Sequence, residues 1–461
     1  MDLPFIGQAY TADSTNLDAQ RAVNWFLETA QGPKPGALRQ RPCLVSWADS
    51  AAMDAVRGLF VLGDRCFAVI GATLYEVSTA GALTSRGTLS TSSGRVGMAG
   101  SQTQLMVVDG VYGYILTLAS NGLVTISDGD FVGADDVAYL DGLFIVNDPG
   151  TNKMRCSGVL DGTSWGALDF ASAEASPDDI LRVMVDHDEL VVFGTSTIEF
   201  WYNDAGSNFP FAVIRGSSVS RGLCGTWAAT QADNGIFWVG DDGVIYRLNG
   251  RSPMRISTHA IESAIRGYAD FSDAFAYSYD WDGHKFVCFT FPSGGATWCF
   301  DVATGAWHEA SSWDTRYWKV SHAVRFADKV IVGSTEAGEL YYLSGGVYED
   351  DGEVFERERI AQAVLSPTDW LYHSRLILDF ETGVGALSGQ GSEPVVGLSW
   401  SDDGGHNYGN EIYASLGLTG ETVARVVFHR LGRSRSRHYK VRVTDPVKAV
   451  LIGARLDAVA A

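Results

Sequence analysis

The chain has 461 residues, 46% hydrophobic and only 19% charged, with 52 glycines against 12 prolines, which describes a globular, turn-rich protein able to bury a large core. Its net charge of −21, from 34 Lys and Arg against 55 Asp and Glu, repels nucleic acid and anionic membranes at long range, so any contact with DNA is expected to be local or lubricating. No apolar run reaches the ~18 residues of a spanning helix, and the start Met1-Asp2-Leu3-Pro4 lacks a targeting pattern; no membrane insertion is expected, and the expected place of synthesis is a cytoplasm-like compartment.

Residues 1–55 hold Pro4, Pro33, Pro35 and Pro42 and read as an extended N-terminal arm. A repeat follows: a turn residue, four or five β-formers, Gly or Asp, then often an aliphatic-Tyr pair. Anchored on Phe67, Leu105, Leu143, Leu190, Ile236, Phe286 and Val330, its spacing averages about 44 residues. A four-stranded antiparallel sheet with turns needs roughly 40 to 50 residues, so the expectation over 56–348 is a six- or seven-bladed β-propeller.

Within the sixth repeat, Phe286 to Phe291 and Ala296 to Asp301 read as a hairpin closed by Pro292 to Gly295, which sets Cys288 opposite Cys299. A cross-strand disulfide there would be strained. The six cysteines (43, 66, 156, 224, 288, 299) show no C-x-x-C spacing and read as buried thiols.

After the repeats, Glu349, Asp350, Asp351, Gly352 and Glu353 read as an acidic hinge opening the block 349–461. Alternating strands continue in Arg375 to Phe380, Val395 to Trp400, Ala424 to His429, Tyr439 to Val443 and Val450 to Ile452, giving a β-sandwich-like C-terminal domain. Ser401, Asp403, Gly405 and Tyr408, after Trp400, resemble an Asp-box hairpin, whose Ser and Asp tie down a tight turn while the aromatic packs beneath it. The cluster Arg430, Arg433, Arg435, Arg437, Lys440 and Arg442 breaks the acidic background, and alternation would put Arg433, Arg435 and Arg437 on one face. A nucleic-acid contact and a salt-bridged protein interface both fit it, and the net charge favours the protein interface.

Catalysis needs converging titratable groups, and no nucleophile elbow, zinc-protease helix, phosphate loop or dinucleotide fingerprint is present. The nine histidines are isolated and the paired aspartates fall in turns, so the expectation is neither an enzyme nor a metal or cofactor protein.

The opening Leu3-Pro4-Phe5-Ile6-Gly7 with Asp18 to Trp25, the run Ile198 to Asn203 with Phe209 to Phe211, and Phe237 to Gly250 with Arg255 to Glu262 resemble the packaged-DNA stabilisation, or tail hub (nozzle), proteins of short-tailed bacteriophages. The likeness continues through Glu356 to Ile360, Ser401 to Tyr408 and Arg430 to Arg433. It implies a virion tail protein, assembled in the host cytoplasm as a homohexameric ring below the portal and adaptor. Such a ring helps retain packaged DNA, carries a tail needle, spikes or fibres, and forms the ejection channel. Six copies at −21 each would bring −126 to the ring, so duplex DNA would slide through without sequence-specific contact. The arm, with Trp25 and Phe26, and the basic cluster are then the candidate contacts between subunits. The Asp-box-like turn and 13 tryptophans keep a glycan-binding or glycan-cleaving propeller as the alternative, and a peptide-binding scaffold propeller of the host as a third reading.

Overall fold

The computed structural model describes residues 2–15, 18–30, 36–173, 176, 178–206, 208–366 and 368–460, so Pro33 and Pro35 lie outside the described residues. The architecture is all-β, a propeller followed by a β-sandwich, with one helix, His259–Arg266, among the described residues. The propeller comprises seven four-stranded antiparallel sheets, six of them meanders at 56–88, 97–125, 137–172, 180–213, 229–255 and 275–310, the seventh made of three strands at 320–344 and a fourth at 43–49. Six stand as separate sheets; blade 6 is the first part of an eleven-stranded sheet that runs on into the sandwich.

Each anchor residue of the sequence repeat falls on the second strand of a blade, such as Arg65–Ile70, Gln104–Val108 and Gly235–Val239. Those strands are covered on both faces by neighbouring blades, which is why they read as unbroken apolar runs without alternation. The core is accordingly divided into layers between blades: Phe67, Val69, Leu105 and Val107 fill the space between blades 1 and 2, and Ile145, Met154, Leu190 and Val192 that between blades 3 and 4. Inner strands converge on the axis and need small residues there. At Gly58 a β-carbon would come within 2.5 Å of the Val96 side chain.

The N-terminal stretch is not an extended arm. Cys43–Asp49 pairs antiparallel with Glu339–Ser344 as the outer strand of blade 7, so the ring closes with one strand from before blade 1 and three from its end. Ala19–Val23 joins blade 6 to Arg357–Ile360, and Trp25–Thr29 and Gly36–Gln40 complete the second sandwich sheet beside Leu451–Ala460. Closure in this way ties the two ends of the ring together through a strand ladder.

The sandwich core lies between that sheet and the extension of blade 6, with Phe5, Trp25, Leu376, Leu398, Tyr439 and Leu456 at its centre. The expected acidic hinge is pinned at one residue: Asp350 is 2% exposed, and the strand Arg357–Ile360 that follows is buried throughout. Glu349, Asp351, Gly352 and Glu353 are exposed as their composition suggests, and Asp350 alone turns in to a buried arginine.

Candidate assembly interface

Three fully buried arginines fasten the N-terminal stretch, the propeller and the sandwich together. Arg41 spends all five N–H donors: Nε on Asn24 Oδ1 (2.7 Å), Nη1 on Pro42 O (2.9 Å) and Asp350 Oδ1 (3.2 Å), Nη2 on Ser311 O (2.9 Å) and Asp350 Oδ2 (2.5 Å). Its guanidinium also stacks on Trp318 at 4.5 Å and Phe355 at 4.7 Å. Burial opposes its charge, but the attraction of Asp350 more than offsets that and raises its pKa above the ordinary arginine value. Asp350 also accepts from Leu44 N (3.0 Å), which fixes the start of the ring-closing strand.

Arg357 donates to Val447 O (2.6 Å), Asp445 O (2.5 Å) and Gln40 Oε1 (3.0 Å); Arg359 donates to Phe5 O (2.7 Å), Gln8 O (3.0 Å) and Gln20 Oε1 (2.7 Å). With backbone carbonyls as their main acceptors, burial holds each at about 10. Arg21 pairs with Glu309 of blade 6 (2.6 Å) and Glu358 (3.3 Å). The propeller and sandwich are thereby joined by a shared sheet and a network of charge-assisted bonds.

Trp25 and Phe26, expected as contacts between subunits, are 0% and 1% exposed. Being successive residues of a strand they face opposite ways, Trp25 into the sandwich core and Phe26 into the core of blades 6 and 7. Trp25 Nε1 donates to Ala449 O at 3.0 Å.

The basic cluster also divides. The chain changes sheets within it: Arg433–Ser434 pairs with Leu371–Phe380, while Ser436–Val443 lies in the other sheet, so the three arginines do not share a face. Arg437 turns inward, 2% exposed, and donates to Asp402 through two bonds (2.6 and 2.7 Å). Burial works against its charge and the bonds to Asp402 outweigh it, raising its pKa. Lys440 is half-buried between Glu358 (3.6 Å) and the Tyr408 ring (4.8 Å), and Arg442 pairs with Glu411 and Glu356. Arg430, Arg433 and Arg435 remain exposed, and the last two sit 4.7 and 5.1 Å over Trp370, itself 40% exposed next to Tyr372 at 46%. Two cations on exposed aromatics make the kind of surface enriched at the centre of protein interfaces.

The Asp-box-like turn is closed on itself. Ser401 Oγ donates to Asp403 Oδ1 (2.6 Å) and accepts from Gly405 N (2.9 Å), while Asp403 accepts from Asn407 N (3.0 Å) and Asn407 Nδ2 (2.7 Å). These bonds, that of Ser401 foremost, hold the Asp403 carboxyl well below its usual range. Gly405 has φ +89°, and a β-carbon there would approach Ala19 to 2.9 Å, so the turn docks on the N-terminal stretch. Tyr408 is half-buried, and desolvation pushes it to about 12.

No group of three or more His, Cys, Asp or Glu able to hold a metal exists among the described residues. Of the paired aspartates, Asp178 caps a turn, accepting from Ser196 N and Thr197 N, whereas Asp402 serves Arg437. Arg41 went unnoticed in the sequence, where an arginine before a proline carries no signal of burial.

Two family models match the chain, one described as bacteriophage P22 Gp10, beta-propeller, over residues 1–348, the other as bacteriophage P22 Gp10, beta-sandwich, over residues 356–459. No curated protein matches it. Among solved structures it is similar to the computationally designed Ika8 protein (12% identity, 71% of this chain and 100% of that one, TM-score 0.41). It is also similar to BamB from Moraxella catarrhalis (12% identity, 69% and 94% coverage, TM-score 0.41).

Proposed function

Because the chain belongs to the bacteriophage P22 Gp10 family and is thus a phage structural protein, we propose that it forms the hub, or nozzle, of a short tail. In this reading copies of the chain make a ring below the portal and adaptor that helps retain the packaged genome and then lets it pass. The observation that carries the reading is the extent of the family match, which takes in both domains and nearly the whole chain.

The charge supports it, since a strongly acidic ring offers duplex DNA no phosphate contacts and lets it slide. So does the join between domains, because a shared sheet and buried arginines suit a rigid building block. Arg433, Arg435 and Trp370 are the surface we assign to an acidic neighbour in the ring. The Asp-box-like turn lends a glycan-active propeller no support, as its Ser and Asp are spent on their own backbone.

Electron microscopy of the protein, alone and with its portal-adaptor complex, is expected to show a ring. A strictly monomeric particle under both conditions would overturn the reading. Arg433→Glu with Arg435→Glu is expected to cut ring yield about tenfold, equal to about 1.4 kcal/mol of association, with no change in melting temperature.

A further inference from the structure

The inner strands of all seven blades enclose a central cavity of about 540 Å³. Its walls hold a charge imbalance. Arg95 lies 4.4 Å over Phe275 and 5.7 Å from Trp227, and Arg182 lies 5.4 Å from the same Trp227 ring. Two guanidiniums therefore share one indole, with Asp136 as the carboxylate beside them, 3.2 Å from Arg182 Nε.

Arg95 Nη2 donates to Ser321 O (2.8 Å) and to His322 Nε2 (2.9 Å), and Arg182 Nη1 donates to Ala229 O (2.6 Å). The Nε atoms of both arginines are buried without a hydrogen-bond acceptor, since the contact of Arg182 with Asp136 is a charge pair outside hydrogen-bonding geometry. His322 adds no negative charge: burial and the two arginines push its pKa well down, so it is neutral, accepting from Arg95 through Nε2. Burial and Arg182 likewise bring Arg95 down to about 9. Buried donors without acceptors are rare in folded proteins, and here two of them border one cavity.

We propose that this cavity is a binding site for a single carboxylate group, held between Arg95 and Arg182 against Trp227. Two cations and Asp136 leave one positive charge, which a monocarboxylate neutralises. A phosphate dianion would overshoot and would face Asp136. Leu59, Phe60 and Met98 line the same cavity, which suits the carbon body of an organic acid over a small inorganic ion. The planar fork of a guanidinium matches a carboxylate.

The carboxylate has two sources, a free organic acid or an Asp or Glu side chain presented by another chain. Isothermal titration calorimetry of the full chain at fixed ionic strength, with sodium benzoate and with a capped Gly-Glu-Gly peptide as probes, separates them. Saturable binding of benzoate alone assigns the site to a free acid, and binding of the peptide assigns it to an inserted side chain. In either case binding should quench Trp227 and fall at least about tenfold, or ~1.4 kcal/mol, in Arg95→Gln and Arg182→Gln. Inorganic phosphate should bind more weakly than the better probe. Where a glutamine variant fails to fold, Arg95→Lys and Arg182→Lys keep the charge and lose the fork, and their weaker binding at unchanged circular dichroism serves instead. Absence of saturable heat with both probes, or affinity that survives these substitutions in folded protein, overturns the proposal.

Discussion

Replacing Asp350 by Asn isolates what the buried join between the domains contributes. The side chain keeps its shape and loses its charge, while Arg41 stays fully inaccessible with its other three acceptors in place. A buried arginine stripped of its only carboxylate retains its desolvation cost, so about 3–5 kcal/mol should be lost, against the 5–15 that typically holds a domain. The loss should be local first. Asp350 Oδ1 also anchors Leu44 N, and Asp351 N donates to Leu44 O at 2.9 Å, so the strand Cys43–Asp49 should detach from Glu339–Ser344 before the other blades open. Hydrogen exchange read by mass spectrometry should show faster exchange across 43–49 and 339–344, with 143–158 of blade 3 unchanged, and guanidinium unfolding should begin earlier. Asp457→Asn is the control, because Arg375–Asp457 is as short at 2.5 Å but lies at the surface, and its loss should leave the unfolding midpoint in place. Equal exchange in the two variants, or an Asp350→Asn shift below about 1 kcal/mol, would refute the reasoning.

Acid should weaken the sandwich in a defined window. Burial together with Arg437 holds His373 at about 4, below the ~6.5 of an unfolded chain, so the unfolded state binds the extra proton. The resulting stability, about 3 kcal/mol, is complete above pH ~6.5 and is lost as pH falls toward 4; His373→Asn should flatten the melting temperature over that interval. Ser401→Ala should cost about 2 kcal/mol, because the 1% exposed hydroxyl both donates to Asp403 and accepts from Gly405 N; an unchanged guanidinium midpoint would remove its role in the turn. Thiol titration of the unfolded chain without reductant should count six groups, since Cys288 and Cys299, though opposite each other, are both free; a count of four would mean they are bonded.

What the sequence disclosed and what it hid follow from the range of the interactions concerned. Phe67, Leu105 and Ile236 marked the blades because a strand covered on both faces must be apolar at every position, a constraint written within six residues. The hairpin of Cys288 and Cys299 was equally local, its register set by loop length alone. Ring closure was not local. Cys43–Asp49 meets a strand about 300 residues away, and the prolines around it gave the composition of a free arm. Trp25 and Phe26 looked like an exposed sticky pair, yet period-two geometry sends each to a different core once covers exist on both sides, and those covers come from blade 6 and the last strand. The arginine run misled for the same reason, since alternation presumes one continuous strand and the chain changes sheets at Arg435. In the cavity, Arg95, Asp136 and Trp227 come from the loops leading into blades 2, 3 and 5 and Arg182 from the first strand of blade 4, and each was unremarkable in its own repeat. Their meeting is a property of the closed ring, because only closure brings inner strands from distant repeats around one axis. A propeller thus advertises its blades in sequence and conceals what its axis can bind.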